Sequence, residues 1–196
     1  MTTRKHYHHG DLRAALLDEA LNSLNRDREL PTWRALARAC AVSHTAPYRH
    51  FGNVEALQIA IATECFNRLT QAVNASVKGI NDPFARLARG LRAYVDFGRA
   101  HPSWYELMFT QVKADDEVLR AASATAYGTL VRGIAACQIT DPEDAAFTLW
   151  CAVHGITDLV ASDLEPPITG RRRRAQTDDV IAMCVNYVRG RLRKKS

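Results

Sequence analysis

"AVSHTAPYRHFGN", residues 41–53, reads as a short helix with too little apolar surface to be a core element. Only Val42, Ala46 and Phe51 suit a core. Ser43, His44, Thr45, Tyr48, Arg49 and His50 share the opposite side. A segment patterned this way either packs loosely or offers its polar side to a partner. Its ends are legible. Ser43 reads as the N-cap, Pro47 falls in the first turn, where about one backbone bond is lost at most, and Gly52-Asn53 closes it.

Working outward, Pro31-Thr32 opens a second short helix just upstream, with Thr32 as N-cap and Leu36, Ala37 and Cys40 inward. Ala41-Val42 make a tight turn between the two. Two short helices joined by about four residues, with small residues at the turn, form a helix-turn-helix signature over 32–51. The physics of duplex DNA accounts for the polar side. The major groove admits one helix, whose amino-terminal half meets the base edges. Hydroxyls, imidazoles and guanidinium groups around it suit phosphates.

Helical periodicity runs through the rest of the chain, and no convincing run of alternating residues appears. Leu12, Leu16, Ala20 and Leu24 place a first helix over about 11–26, and a fourth covers about 54–76. Asp82-Pro83, Pro102 and Asp141-Pro142, with Asp144 in the following turn, mark three later starts. A helix over about 115–137 lies between them. "LEPPITGRRRRAQT", from residue 164, reads as a loop, and a last helix follows over about 177–193. The expected fold is all-α with about nine helices.

Composition narrows the class. The chain has 196 residues, 47% of them hydrophobic, and a net charge of +5. Residues 1–60 hold eight Lys/Arg against six Asp/Glu, residues 61–169 nine against thirteen, and residues 170–196 nine against two. The basic ends hint at a polyanion partner, although a solvated loop and a frayed terminus account better for Arg171 to Arg174 and for the terminal Arg189, Arg191, Arg193, Lys194 and Lys195. Arg4 and Lys5, beside His6, His8 and His9, suit a mobile phosphate-facing arm. Cysteines 40, 65, 137, 151 and 184 are odd in number, show no CxxC spacing and sit in apolar helical contexts, as buried reduced thiols do. No apolar leader and no stretch approaching ~18 apolar residues appears, so a cytoplasmic protein away from the membrane is expected. No GxSxG, HExxH, P-loop or dinucleotide glycine motif appears, and Cys151 with His154 is a poor dyad at three-residue spacing, so an enzyme is not expected. His154 and Asp158 are only two ligands, so neither a metal nor a cofactor is expected.

"LARACAVSHTAPYRHFGNVEAL", residues 36–57, resembles the DNA-binding domain of TetR/AcrR-type transcriptional regulators, with the Tyr-x-His-Phe element standing as Tyr48-Arg49-His50-Phe51. The likeness covers about residues 9–69. "HPSWYELMF" and "LWCAVHGITDLV" resemble the carboxy-terminal domain of one branch, with its Trp…His-Gly element at Trp150, His154 and Gly155. The resemblance implies that Thr32, Tyr48 and His50 hold phosphates, with Ser43 and Arg49 on the same side. It places His44 and Thr45 nearest the base edges, and Ala46 where it could meet a thymine methyl. Two positions depart from the family pattern: Ala41 stands where glycine is usual, and Val54 where lysine is usual.

The resemblance further implies a domain over 80–194 that binds a small molecule and pairs two chains. Two groups of residues suit a pocket of mixed polarity. Tyr94, Phe97, Trp104, Tyr105, Met108 and Phe109 cluster near one helix junction, and Phe147, Trp150, Cys151, His154 and Asp158 share one helix face. An ordinary core would use the same residues. For pairing, Leu149, Val153, Ile156 and Val160 combine with Val180, Ile181, Cys184, Val185 and Val188, since both helices are apolar over more than one face and a four-helix bundle would cover the excess. The expected protein is a homodimeric, sequence-specific regulator, a repressor released from a pseudo-palindromic double-stranded operator by a small effector. The alternative is a dimeric regulator without a ligand.

Overall fold

The computed structural model describes residues 9–111, 115–162 and 170–192. Among them stand nine helices: α1 (His9–Asp27), α2 (Trp33–Ala39), α3 (Ala46–Phe51), α4 (Val54–Ser76), α5 (Pro83–Ala100), α6 (Pro102–Gln111), α7 (Glu117–Ala135), α8 (Pro142–Ala161) and α9 (Gly170–Gly190). The only pairing outside helices among them is an isolated antiparallel bridge between Ile139 and Leu192. The basic amino-terminal arm (Arg4, Lys5, His6, His8) and the terminal Arg193, Lys194 and Lys195 lie outside the described residues.

The chain divides into two compact units, residues 1–65 with 103–119, and residues 66–102 with 120–196. The division falls inside α4, and α6 belongs almost wholly with the amino-terminal residues. In that first unit α1 packs on α2 and α3, and α2 on α3. Leu16, Ala20 and Leu21 of α1 are completely buried, as is Leu36 of α2, each large aliphatic contributing about 1.5–3 kcal/mol by leaving water. The spacing of Leu16, Ala20 and Leu24 is the i, i+4 stripe that commits α1 to one face. Trp104 of α6 is buried too. Its indole N–H donates to the Leu21 carbonyl at 2.9 Å, satisfying the one polar atom its burial would strand.

In the second unit α5, α8 and α9 pack against one another. Leu87, Leu91 and Val95 from α5 meet Leu149 and Val153 of α8 and Ile181, Cys184 and Val188 of α9, with Ile134, Cys137 and Ile139 closing the end of α7. Asp82 caps α5 as its sequence indicates, accepting the Ala85 N–H at 2.6 Å. The far end of α9 is tied down at several points. Arg191 pairs with Asp144 at 2.8 Å and lies 4.7 Å over the Tyr187 ring. The Thr140 N–H donates to the Arg191 carbonyl. Arg92 and Asp178 form a further ion pair between α5 and α9.

Some local readings need correction. The last helix begins at Gly170, not near 177, so Arg171 to Arg174 continue a helix rather than a loop. Arginine is a good helix former, which accounts for the earlier start. Asp141 occupies the N-cap of α8 but adopts a left-handed φ of 53° and makes no side-chain cap bond. Cys151 is exposed rather than buried, whereas Cys65, Cys137 and Cys184 are buried and Cys40 is half-buried.

Candidate nucleic-acid interface and carboxy-terminal aromatic cluster

The amino-terminal site is built from the turn outward. Thr32 caps α2, its hydroxyl oxygen accepting the Ala35 N–H at 3.2 Å. At the other end of α2 the Val42 N–H donates to the Ala37 carbonyl at 3.0 Å and the Ala41 N–H to the Arg38 carbonyl at 3.1 Å. These two bonds define a Schellman stop, which demands a left-handed residue at the position of Ala41. Ala41 supplies it at φ 54°. The alanine therefore keeps the turn that glycine ordinarily makes, at the strain of a Cβ against its own carbonyl.

From there the chain enters α3. Ser43 does not cap this helix by its side chain, contrary to the expectation from sequence. Its hydroxyl instead lies 3.2 Å from that of Thr45, which occupies the N-cap without a cap bond of its own. The Ser43 carbonyl accepts the Ala46 N–H at 3.0 Å, so a single turn leads into the helix. Pro47 in the first helical turn is buried, and Phe51 is buried beneath the Arg13 guanidinium, 5.1 Å from the ring centroid. Gly52, at φ 76°, ends α3 by donating to the Tyr48 carbonyl at 2.8 Å. Asn53 then caps α4 through Oδ1, which accepts the Ala56 N–H at 2.8 Å.

Anchoring through Pro47 and Phe51 leaves the opposite side of α3 open. Thr32, Ser43, His44, Thr45, Tyr48 and Arg49 are exposed, while Ala46 and His50 are half-buried. Tyr48 is 54% exposed, yet its ring is not isolated. It lies against Trp33, the first residue of α2, with centroids 4.9 Å apart and planes at 43°. Trp33 was not singled out from sequence. The available signal was an indole directly after a capping threonine on a helix whose inward positions, Leu36 and Ala37, were already filled. Val54, where a lysine is usual, is exposed and brings no charge.

The expected pocket residues fall in both compact units. Trp104, Tyr105 and Met108 are buried in the first, with Phe109 against Tyr105 at 4.9 Å. In the second, Phe97 is buried and the structure brings together Tyr94, Phe147, Trp150 and His154. The Tyr94 hydroxyl lies 3.1 Å from His154 Nδ1. The Trp150 and His154 rings are 5.3 Å apart, Phe147 and Trp150 6.2 Å, and Tyr127 meets Trp150 edge-on at 6.1 Å. Burial pulls the His154 imidazole below its ordinary value, with Asp158 acting weakly in the opposite direction. Cys151 and Asp158 are exposed on the same helix.

Of the residues expected to pair two chains, Leu149, Val153, Ile181, Cys184, Val185 and Val188 are buried within the protomer and offer little side-chain surface. Ile156, Val160 and Val180 are half-buried. The open apolar groups are others: Phe147 at 59% and Leu159 at 51% on α8, and Met183 at 56% on α9. Phe147, Cys151, Gly155 and Leu159 form one exposed i, i+4 row along α8.

With a helix-turn-helix unit and a helical carboxy-terminal unit in place, comparison with known proteins is specific. Residues 87–184 match the family model of the tetracyclin repressor-like C-terminal domain. A protein of unknown function from Rhodococcus sp. RHA1 is 31% identical, with 97% of this chain and 100% of that one covered and a TM-score of 0.76. A possible TetR family transcriptional regulator from Streptomyces coelicolor A3(2) shares the fold at a TM-score of 0.66 and 21% identity, covering 91% and 98%. A second TetR transcriptional regulator from Streptomyces coelicolor does so at 0.70 and 20%, covering 93% and 99%. No curated protein matches. The chain belongs to the tetracyclin repressor-like family. Among the described residues, no helix is long and apolar enough to cross a membrane.

Proposed function

We propose that the chain is a sequence-specific DNA-binding transcriptional regulator acting as a homodimer. The observation that carries this reading is the open side of α3. Tyr48 and Arg49 stand exposed on a helix anchored from behind by Pro47 and Phe51, and Ser43, His44 and Thr45 stand exposed in the turn that leads into it. His44 and the N-cap Thr45 lead into the helix, on the side where base edges are met; Thr32, Tyr48, Arg49 and His50 flank them for phosphates. Each good base-edge pairing is worth about 1–3 kcal/mol of discrimination. The test is selection of bound duplexes from a random pool. The reading expects enrichment of a pseudo-palindromic site, and recovery of unenriched DNA would defeat it.

Pairing of two chains is assigned to the exposed row on α8. A glycine inside an exposed helix costs about 1 kcal/mol relative to alanine. Gly155 has open space where a Cβ would stand, so the protomer's own packing does not require it. Close approach of a second α8 would require it, with Phe147 and Leu159 covered on either side.

In the first reading a small effector binds in the carboxy-terminal unit and releases a repressor, the two states differing by a coupling of ~1–3 kcal/mol. The second reading, a dimeric regulator without a ligand, is favoured by the way the aromatic cluster satisfies itself, Tyr94 on His154 and Trp150 among Tyr127, Phe147 and His154. Thermal-shift screening separates them: a compound that raises the melting temperature and lowers operator affinity supports the first.

A further inference from the structure

We infer that Trp33 is a positioning residue for DNA binding, holding the Tyr48 hydroxyl where a backbone phosphate will meet it. The inference rests on the DNA-binding reading above and extends it to a residue outside the recognition helix. Trp33 opens α2 and Tyr48 is the third residue of α3. Their rings lie 4.9 Å apart at 43°, an offset and tilted arrangement of the favourable kind. The core does not ask for this contact. Leu36 and Ala37 already bury the inner face of α2, and Phe51 and Pro47 that of α3.

What the contact restrains is an otherwise exposed tyrosine. A surface tyrosine exchanges between staggered rotamers, and each exchange swings the hydroxyl away by several ångströms. Seating the ring on a half-buried indole selects one arrangement before DNA arrives. Preorganisation of this kind raises affinity by reducing the ordering that binding must impose. A phosphate contact carries no sequence information, so the gain applies to every duplex. It also bridges the two helices of the motif, so Tyr48 is fixed relative to Thr32, the neighbouring cap of α2.

The test is a double-mutant cycle on the full-length chain, with a labelled duplex of arbitrary sequence at low salt as the probe. Trp33→Leu keeps apolar volume without a ring, Trp33→Phe keeps a ring, and Tyr48→Phe keeps the stack without the hydroxyl. Trp33→Leu is expected to weaken binding about three- to tenfold when Tyr48 is present. In the Tyr48→Phe background the same change should cost less than about twofold, because no hydroxyl remains to be placed. Trp33→Phe should restore most of the affinity. Equal losses in both backgrounds would overturn the inference, since Trp33 would then act on DNA or on the fold directly. So would a loss with Tyr48→Phe but none with Trp33→Leu. Should Trp33→Leu fail to fold, Trp33→Phe with a loss as large as that of Tyr48→Phe would overturn it also. The wild-type arm separates the two levels of the claim: no retention of duplex by the unmodified chain would remove the DNA-binding reading itself.

Discussion

Ala41 shows how one residue reports on the turn that sets α3. It holds a left-handed φ of 54° in a Schellman stop, where an L side chain is strained. Ala41→Gly is expected to stabilise the amino-terminal unit by about 0.5–1 kcal/mol, less than the full relief of strain because glycine also loosens the unfolded chain. Urea denaturation followed by circular dichroism checks it, and a loss of stability would show that the turn is relaxed. On the DNA-binding reading, the exposed residues of α3 and of the turn before it divide by role. His44→Ala and Thr45→Ala should relax sequence choice, whereas Tyr48→Phe should weaken binding on all duplexes alike. Binding titrations against a site and its single-base variants distinguish the two patterns. His154 carries a pH signature. Burial lowers its folded value, so the unfolded chain holds more protons near neutrality, and stability present above the ordinary histidine range is lost as pH falls through it. The melting temperature should therefore drop between about pH 7 and pH 5, and His154→Gln should flatten the drop.

At the scale of the element, capping chemistry made most of the architecture legible. Thr32 and Asp82 carry their caps in the side chain, and Pro83, Pro102 and Pro142 each stand at the first position of a helix. The start of α9 was not legible, because a run of four arginines looks like a solvated loop although it favours a helix. The outer face of α8 was not legible either. α8 is apolar on several sides, and periodicity alone does not say which stripe serves the core and which a second chain. The buried Leu149 and Val153 sit beside the exposed Phe147 and Leu159 with the same kind of spacing. Likewise the contact of Trp33 with Tyr48 joins two helices across a turn, beyond the reach of any single-helix pattern. On the α8 assignment, Gly155→Leu should leave the protomer folded, since a Cβ there meets open space, yet shift the mass measured in sedimentation toward the monomer. An unchanged dimer would move pairing elsewhere.

Taken as a whole, the molecule combines a motif whose caps and turn are local with a carboxy-terminal unit held by long-range packing of α5, α8 and α9. Local features carry sequence signatures, which is why the helix-turn-helix was readable and the division of labour in the second unit was not. A two-fold dimer would present two copies of α3 about 34–36 Å apart, or somewhat more, to successive major grooves of one duplex face. The central claim is that the open side of α3 reads DNA. Its most direct test is a selection from random duplexes, run in parallel on the wild-type chain and on His44→Ala with Thr45→Ala. The wild type is expected to select a two-fold-related site, and the variant to lose base preference while keeping residual binding at low salt. Retention of no duplex by the wild type, or an identical selected site from both proteins, would contradict it.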